Sequence, residues 1–126
     1  MIPTFIRSYK ASAAIAGNRL VAFSDAANSS VIAQASASSS PITGVSDRLD
    51  CEADAMCDVH RGGLSSVRLG GTVVAGDPLT SDADGKAIKA VAATGTTVWI
   101  VGYADAPGVV DDIVDVMFAP GVLHEG

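Results

Sequence analysis

Along most of the chain, apolar and polar residues alternate with a period of two, which is the pattern of strands buried on one face. Asp112-Ile113-Val114-Asp115-Val116-Met117-Phe118 is rich in strand formers and runs up to Pro120-Gly121. Thr96-Thr97-Val98-Trp99-Ile100-Val101 is a second run, stopped by Gly102. Residues 64–69 and 86–91 alternate in the same way, and weaker strands are predicted over 19–23, 30–34 and 41–46. Turn signals separate these runs: Ala16-Gly17-Asn18, Gly62-Gly63, Gly70-Gly71, Ala75-Gly76-Asp77-Pro78, Asp82-Ala83-Asp84-Gly85 and Pro107-Gly108. The Asp84-Gly85 pair suits a hairpin, because Gly takes positive φ freely and Asp tolerates it. Many short strands at this spacing predict an all-β fold, a compact β-barrel or sandwich. Only residues 11–15 and 31–37, rich in the helix former Ala, leave room for one or two short helices.

The pattern also recurs. Ala14-Ile15-Ala16-Gly17-Asn18-Arg19-Leu20 faces Val73-Val74-Ala75-Gly76-Asp77-Pro78-Leu79 at an offset of 59. Ile42-Thr43-Gly44-Val45-Ser46-Asp47 faces Ile100-Val101-Gly102-Tyr103-Ala104-Asp105 at 58, and Met56 to Gly63 faces Val114 to Gly121 at 58. Few positions are identical, so the common order and spacing carry the weight. The reading is one β domain over residues 11–126, built from two similar halves of about 58 residues, roughly 11–63 and 70–121. Two such halves facing each other would close off exposed sheet edges. Residues 1–10 precede the first half. They are apolar at the start, with Pro3 to keep them extended, and are read as an extended arm that docks on a neighbour; a first strand of the domain is the alternative.

Composition narrows the function. Apolar residues make up 48%, but aromatics only 5%, so the core should use small and β-branched side chains. Net charge is −6, with 14 acids against 8 bases, which argues against a nucleic-acid binder that must replace phosphate counterions. No apolar run reaches the roughly 18–20 residues of a membrane span, and no membrane partner is expected. Residues 1–10 do not read as a signal peptide, so synthesis inside a cell is expected.

No catalytic constellation stands out. The histidines are His60 at a strand end and His124 near the end of the sequence, and no Ser sits in a Gly-x-Ser-x-Gly elbow. A small hydrolase using His60 is the remote alternative to a chain that is not an enzyme and needs no cofactor. Asp82-Ala83-Asp84-Gly85 lacks the acidic ligand a calcium loop needs at its end, and reads as a hairpin turn. Cys51 and Cys57 admit three readings: buried thiols, a disulfide, or metal ligands with His60. The spacing Cys-x5-Cys-x2-His lacks a tight zinc knuckle and a fourth ligand, so no metal site is expected. Trp99, in a strand of β-branched residues, is expected in the core, with contact to a partner as the other reading.

The stretch from Leu69-Gly70-Gly71 through Ala75-Gly76-Asp77-Pro78-Leu79 to Asp82-Ala83-Asp84-Gly85-Lys86-Ala87 resembles the capsid cement, or head decoration, proteins of tailed bacteriophages. So do Ile100-Val101-Gly102-Tyr103-Ala104, Asp112-Ile113-Val114, Ala119-Pro120-Gly121 and, in the first half, Ile42 to Asp47. The Cys51–Cys57 segment departs from the family's pattern. The resemblance implies a structural virion protein, made in the host bacterial cytoplasm and carried on the outer surface of the capsid. It would bind the major capsid protein lattice non-covalently and stabilise it, and would self-assemble, as a trimer rather than a dimer. With the arm reading, the capsid-binding residues are expected to be Ile2, Pro3, Phe5, Ile6 and Arg7. Removal of residues 2–8 would then abolish capsid binding and leave the domain folded. The alternative is another virion β module, associated with a tail or fibre, that binds carbohydrate or a partner protein.

Overall fold

Among the described residues, nine strands account for the regular structure and no helix occurs. The computed structural model describes residues 3–24, 27, 30–37, 42–91, 95 and 97–124, with the backbone alone for residues 3–5, 123 and 124. The strands are β1 (Pro3–Ala11), β2 (Leu20–Phe23), β3 (Val31–Gln34), β4 (Ile42–Ser46), β5 (Met56–Arg68), β6 (Pro78–Ser81), β7 (Ala87–Lys89), β8 (Thr97–Ala104) and β9 (Ile113–His124). They join in the order β1-β3-β2-β4-β5-β9-β8-β6-β7, and β1 also pairs with β5. That extra pairing closes β1, β3, β2, β4 and the first half of β5 into a five-stranded barrel. The second half of β5 begins another ring. It pairs with β9 from Leu64 to Arg68, the ring continues through β8, β6 and β7, and a single parallel bridge, Leu69 to Ala87, returns to the end of β5.

The two rings are built alike. Leu20 pairs with Val45 and Val21 with Gly44; 58 residues on, Pro78 pairs with Tyr103 and Leu79 with Gly102. The bridge of Ile15 with Cys51 has its counterpart in Val73 with Gly108. Ser8 Oγ donates to Asp58 at 2.7 Å, and Ser66 Oγ donates to Asp115 at 3.1 Å. The match therefore starts inside β1, which corresponds to the second half of β5. In this respect the structure differs from the expected arm: residues 3–11 form a strand that closes the first barrel. The apolar alternation and Pro3 suit an edge strand as well as a docked arm, so sequence pattern alone did not separate them. Removal of residues 2–8 would open that barrel, contrary to the expectation that the domain would stay folded without them. Ile2 lies outside the described residues.

The barrel interiors follow the same correspondence. Tyr9, Ala11, Ile15, Val21, Ile32, Cys57 and Val59 fill the first. Val67, Leu69, Val73, Leu79, Ala87, Val114 and Val116 occupy the matching places in the second. Each fully buried aliphatic side chain contributes about 1.5–3 kcal/mol. Size differences offset one another: Tyr9 with Ala11 stands where Val67 with Leu69 stands, and Ile32 where Ala87 stands. Tyr9 is fully buried, with its hydroxyl 2.8 Å from Arg61 Nη1, the Arg7 guanidinium over its ring at 4.8 Å and Phe23 edge-on at 6.1 Å.

Gly62-Gly63 does not end a strand, as its composition suggests, but lies within β5 where pairing passes from β1 to β9. Gly63 has φ 74°, and the register against β1 slips there, so the pair acts as a bulge that redirects the strand into the second barrel.

The barrels are locked together beyond β5. Leu20, Ala22, Ala35 and Val45 of the first barrel share one buried cluster with the second barrel's core. Asn18 Nδ2 donates to Ser66 O at 3.0 Å, and Gln34 Nε2 donates to Asp84 O at 2.7 Å. The 82–86 turn is held by Asp82, whose Oδ1 accepts from the N–H groups of Asp84 and Lys86 at 2.8 and 2.9 Å. Gly85, at φ 73°, presses this turn on β2; a Cβ there would lie 2.6 Å from Gln34 Cγ and 3.1 Å from Leu20 O. Gly85→Ala is therefore expected to destabilise the protein by about 1–3 kcal/mol. Chemical denaturation of the two proteins checks this, and Gly76→Ala, where a Cβ meets nothing within 4 Å, separates backbone strain from the clash.

Candidate functional site

Two surfaces present residues suited to contact with another protein. The first lies along β1. Ile6 is 47% exposed opposite His60, and Arg7 is exposed opposite Val59. Pro3 and Phe5 pair with Gly63 and Gly62, which places their backbone at the start of the barrel wall. Of the residues expected to bind a capsid, the structure thus brings Pro3, Phe5, Ile6 and Arg7 onto one strand, and exposes the side chains of the last two. β1 pairs with β3 only at Lys10 and Ala11, so the edge before Lys10 on that side makes no ladder with a described strand.

The second surface was not anticipated. Leu64 pairs with Met117, Met117 with Tyr103, and Tyr103 with Pro78, a row that crosses β5, β9, β8 and β6. Met117 is 51% exposed and Tyr103 38%. Farther along the same two strands, Trp99 pairs with Val122, and both are exposed, Trp99 at 39%. Trp99 is not in the core as its strand context suggests: Val98 and Ile100 turn inward into a small cluster with Ala90, and alternation puts the indole outside. The parity of Trp99 against its apolar neighbours was the signal that would have placed the indole outside; the rest of the row rests on strand register. A contiguous row of exposed apolar and aromatic side chains across neighbouring strands suits a contact region.

Cys51 and Cys57 are disulfide-bonded, with Cα atoms 5.8 Å apart. Cys57 is fully buried in the first barrel and Cys51 is bridged to Ile15. The bond staples the turn that leads into β5. Among the described residues, no cluster of His, Cys, Asp and Glu has the makings of a metal site.

His60 is 2% exposed, and its Nε2 lies 3.2 Å from Asp47 Oδ1. Burial pushes the Asp47 carboxyl up, but the Arg48 backbone N–H, the His60 ring and the Arg48 charge outweigh it and hold the group below the usual carboxylate value. Gly44 and Gly102, at matching places in β4 and β8, leave no space for a side chain against the backbones of His60 and Met117. These glycines of the Ile42–Asp47 and Ile100–Asp105 motifs thus serve close strand packing.

Protein-family comparison supplies the class that this geometry lacks. The model for the phage cement proteins matches residues 5–113, and the chain belongs to that family. It is a structural protein of the phage virion. Among solved structures, the N-terminal base of the head fibre gp8.5 of bacteriophage phi29 is similar in fold, with a TM-score of 0.68 and 20% identity, over 91% of this chain and 93% of that one. No curated protein matches.

Two predictions follow from the site's covalent and charged contacts. Cys51→Ser, or reduction, is expected to cost about 2 kcal/mol of stability, the closure entropy of so short a loop, without loss of the fold; denaturant titration with and without dithiothreitol checks it. The depressed Asp47 contributes stability that is present above its ordinary value of 3.8 and lost as pH falls through its lower folded value. Asp47→Asn should lower stability at pH 7 and flatten the acid-side fall in Tm between about pH 5 and pH 2.

Proposed function

We propose that this protein decorates the outer surface of the phage capsid and stabilises it, by non-covalent binding to the lattice of the major capsid protein. Membership of the cement family is the observation that carries this reading. Two surfaces contribute to the contact. One is the start of β1, with Ile6 and Arg7; the other is the apolar row of Leu64, Met117 and Tyr103 with Trp99 and Val122 beyond it. A Trp and a Tyr flanked by Met and Val suit a contact whose energy is concentrated in a few anchors. Many copies over one shell add their effects, so each need bind only modestly. Self-assembly as a trimer would place three such faces around one axis, and a mass of three times 12.6 kDa in solution would support it.

The test is co-sedimentation of purified protein with capsids that lack it. Trp99→Ser and Met117→Asp alter exposed side chains and should keep the wild-type circular dichroism spectrum. Each is expected to weaken capsid binding at least tenfold, and Ile6→Asp to weaken it less. Wild-type binding by all three folded variants would overturn the assignment of the contact. Absence of binding by the wild-type protein would overturn the function.

A further inference from the structure

Half of the chain's eight cationic side chains converge on one cleft. It measures about 430 Å³ and lies at the seam between the barrels, lined by Arg19, Arg48, Arg68 and Lys86 together with Asp50 and Asp111. Four bases against two acids leave this cleft with a formal charge of +2, whereas the rest of the chain has four bases and twelve acids. The concentration is produced by the fold. Arg19 precedes β2 and Arg48 follows β4 in the first barrel. Arg68 ends β5, and Lys86 is thrust forward from the Asp82-held turn that packs on β2.

The nearby acids, Asp111 beside Lys86, Arg68 and Arg19 and Asp47 beside Arg48, leave hydrogen-bonding capacity on two of the cations. Asp111 takes Lys86 Nζ at 2.8 Å, while its backbone carbonyl accepts from Arg68 Nη1 at 3.0 Å. Asp50 spends Oδ1 on the backbone N–H of Gly17, at 2.8 Å, rather than on a cation. Among the described residues Arg19 donates to a carbonyl, Gly17 O at 3.3 Å; its charge also acts on Asp111, while its buried Nε has no hydrogen-bond partner. Arg48 is exposed; its charge acts on the neighbouring Asp47, but no carboxylate among the described residues lies within salt-bridge distance of its guanidinium. A buried guanidinium N–H without an acceptor is costly, and a carboxylate is the group whose two oxygens match the guanidinium fork.

We infer that this cleft is a binding site for an acidic peptide segment of a protein partner, whose carboxylates engage Arg19 and Arg48. A carboxylate-bearing segment is favoured over a nucleic acid by the surroundings. A long polyanion laid over the cleft would run onto an acidic surface within a Debye length of about 8–10 Å, whereas a short acidic segment places its charge only where the cations are. The inference does not rest on the capsid reading, since the cleft is defined by this chain's own charges.

The experiment is an NMR titration of the full chain with hexaglutamate peptide, with inorganic phosphate and a twelve-nucleotide single strand of DNA as parallel arms. Hexaglutamate is expected to shift the amides of Gly17, Asn18, Arg19 and Arg48, with an affinity that falls at least tenfold in Arg48→Glu and tenfold again between low and high salt. The Arg48→Glu variant changes an exposed side chain, and its unperturbed spectrum away from the cleft shows that it is folded. Lys10→Glu, outside the cleft, should bind as wild type. The inference is overturned if hexaglutamate shifts none of these amides, if Arg48→Glu binds it as wild type, if phosphate binds as tightly as the peptide, or if the oligonucleotide binds more tightly. Because no capsid is used, failure here leaves capsid binding to be judged on its own test.

Discussion

Everything in this molecule hangs on one strand. β5 runs thirteen residues, from Met56 to Arg68; its first half completes the first barrel and its second half begins the next. A barrel of five short strands has little interior to bury, and small domains are stabilised poorly by their own cores. Sharing β5 lets each barrel use the other as part of its wall. The buried cluster that continues from Leu20, Ala22 and Val45 into Val101, Val114 and Val116 is the result. Leu20 N–H to Gly85 O, the Asn18 side chain to Ser66 O and the Gln34 amide to Asp84 O then tie the same seam with hydrogen bonds that neither barrel could make alone.

Sequence pattern carried the strands and most of the turns. Alternation over 64–69 and 112–118 and the Asp84-Gly85 turn were legible because they obey local rules: pleat parity and positive φ. The offset near 58 was legible as well, because Gly44 and Gly102 must pack against the backbone in both halves and cannot drift. The strand character of residues 3–11 was not, because its partner lies fifty residues away, as Ser8 with Asp58 shows. The continuity of β5 was also hidden. Gly62-Gly63 carries the composition of a turn, and only the partners on either side of it distinguish a bulge from a chain reversal.

The candidate contact residues divide in the same way. The choice of Ile6 and Arg7 followed from their place near the start of the chain, and the fold exposes both, on a strand instead of an arm. The row through Leu64, Met117 and Tyr103 could not be read from sequence, since three separate strands supply it and their register depends on β5. The cationic cleft is likewise distributed over four segments, each of which contributes one cation. The disulfide reinforces one barrel only. Gly108 and Val114 stand where Cys51 and Cys57 would be in the second, and there Val109 N–H to Asp112 Oδ2, at 3.0 Å, holds the turn instead.

The absence of any linker within β5 has a mechanical consequence. Two modules on a flexible tether search for their sites independently, and their joint binding depends on how far the tether reaches. Two barrels that share a strand have one fixed spacing and one fixed orientation. Such a body works as a strut: wherever it touches two neighbouring points of a surface, it fits a single separation between them and resists every other.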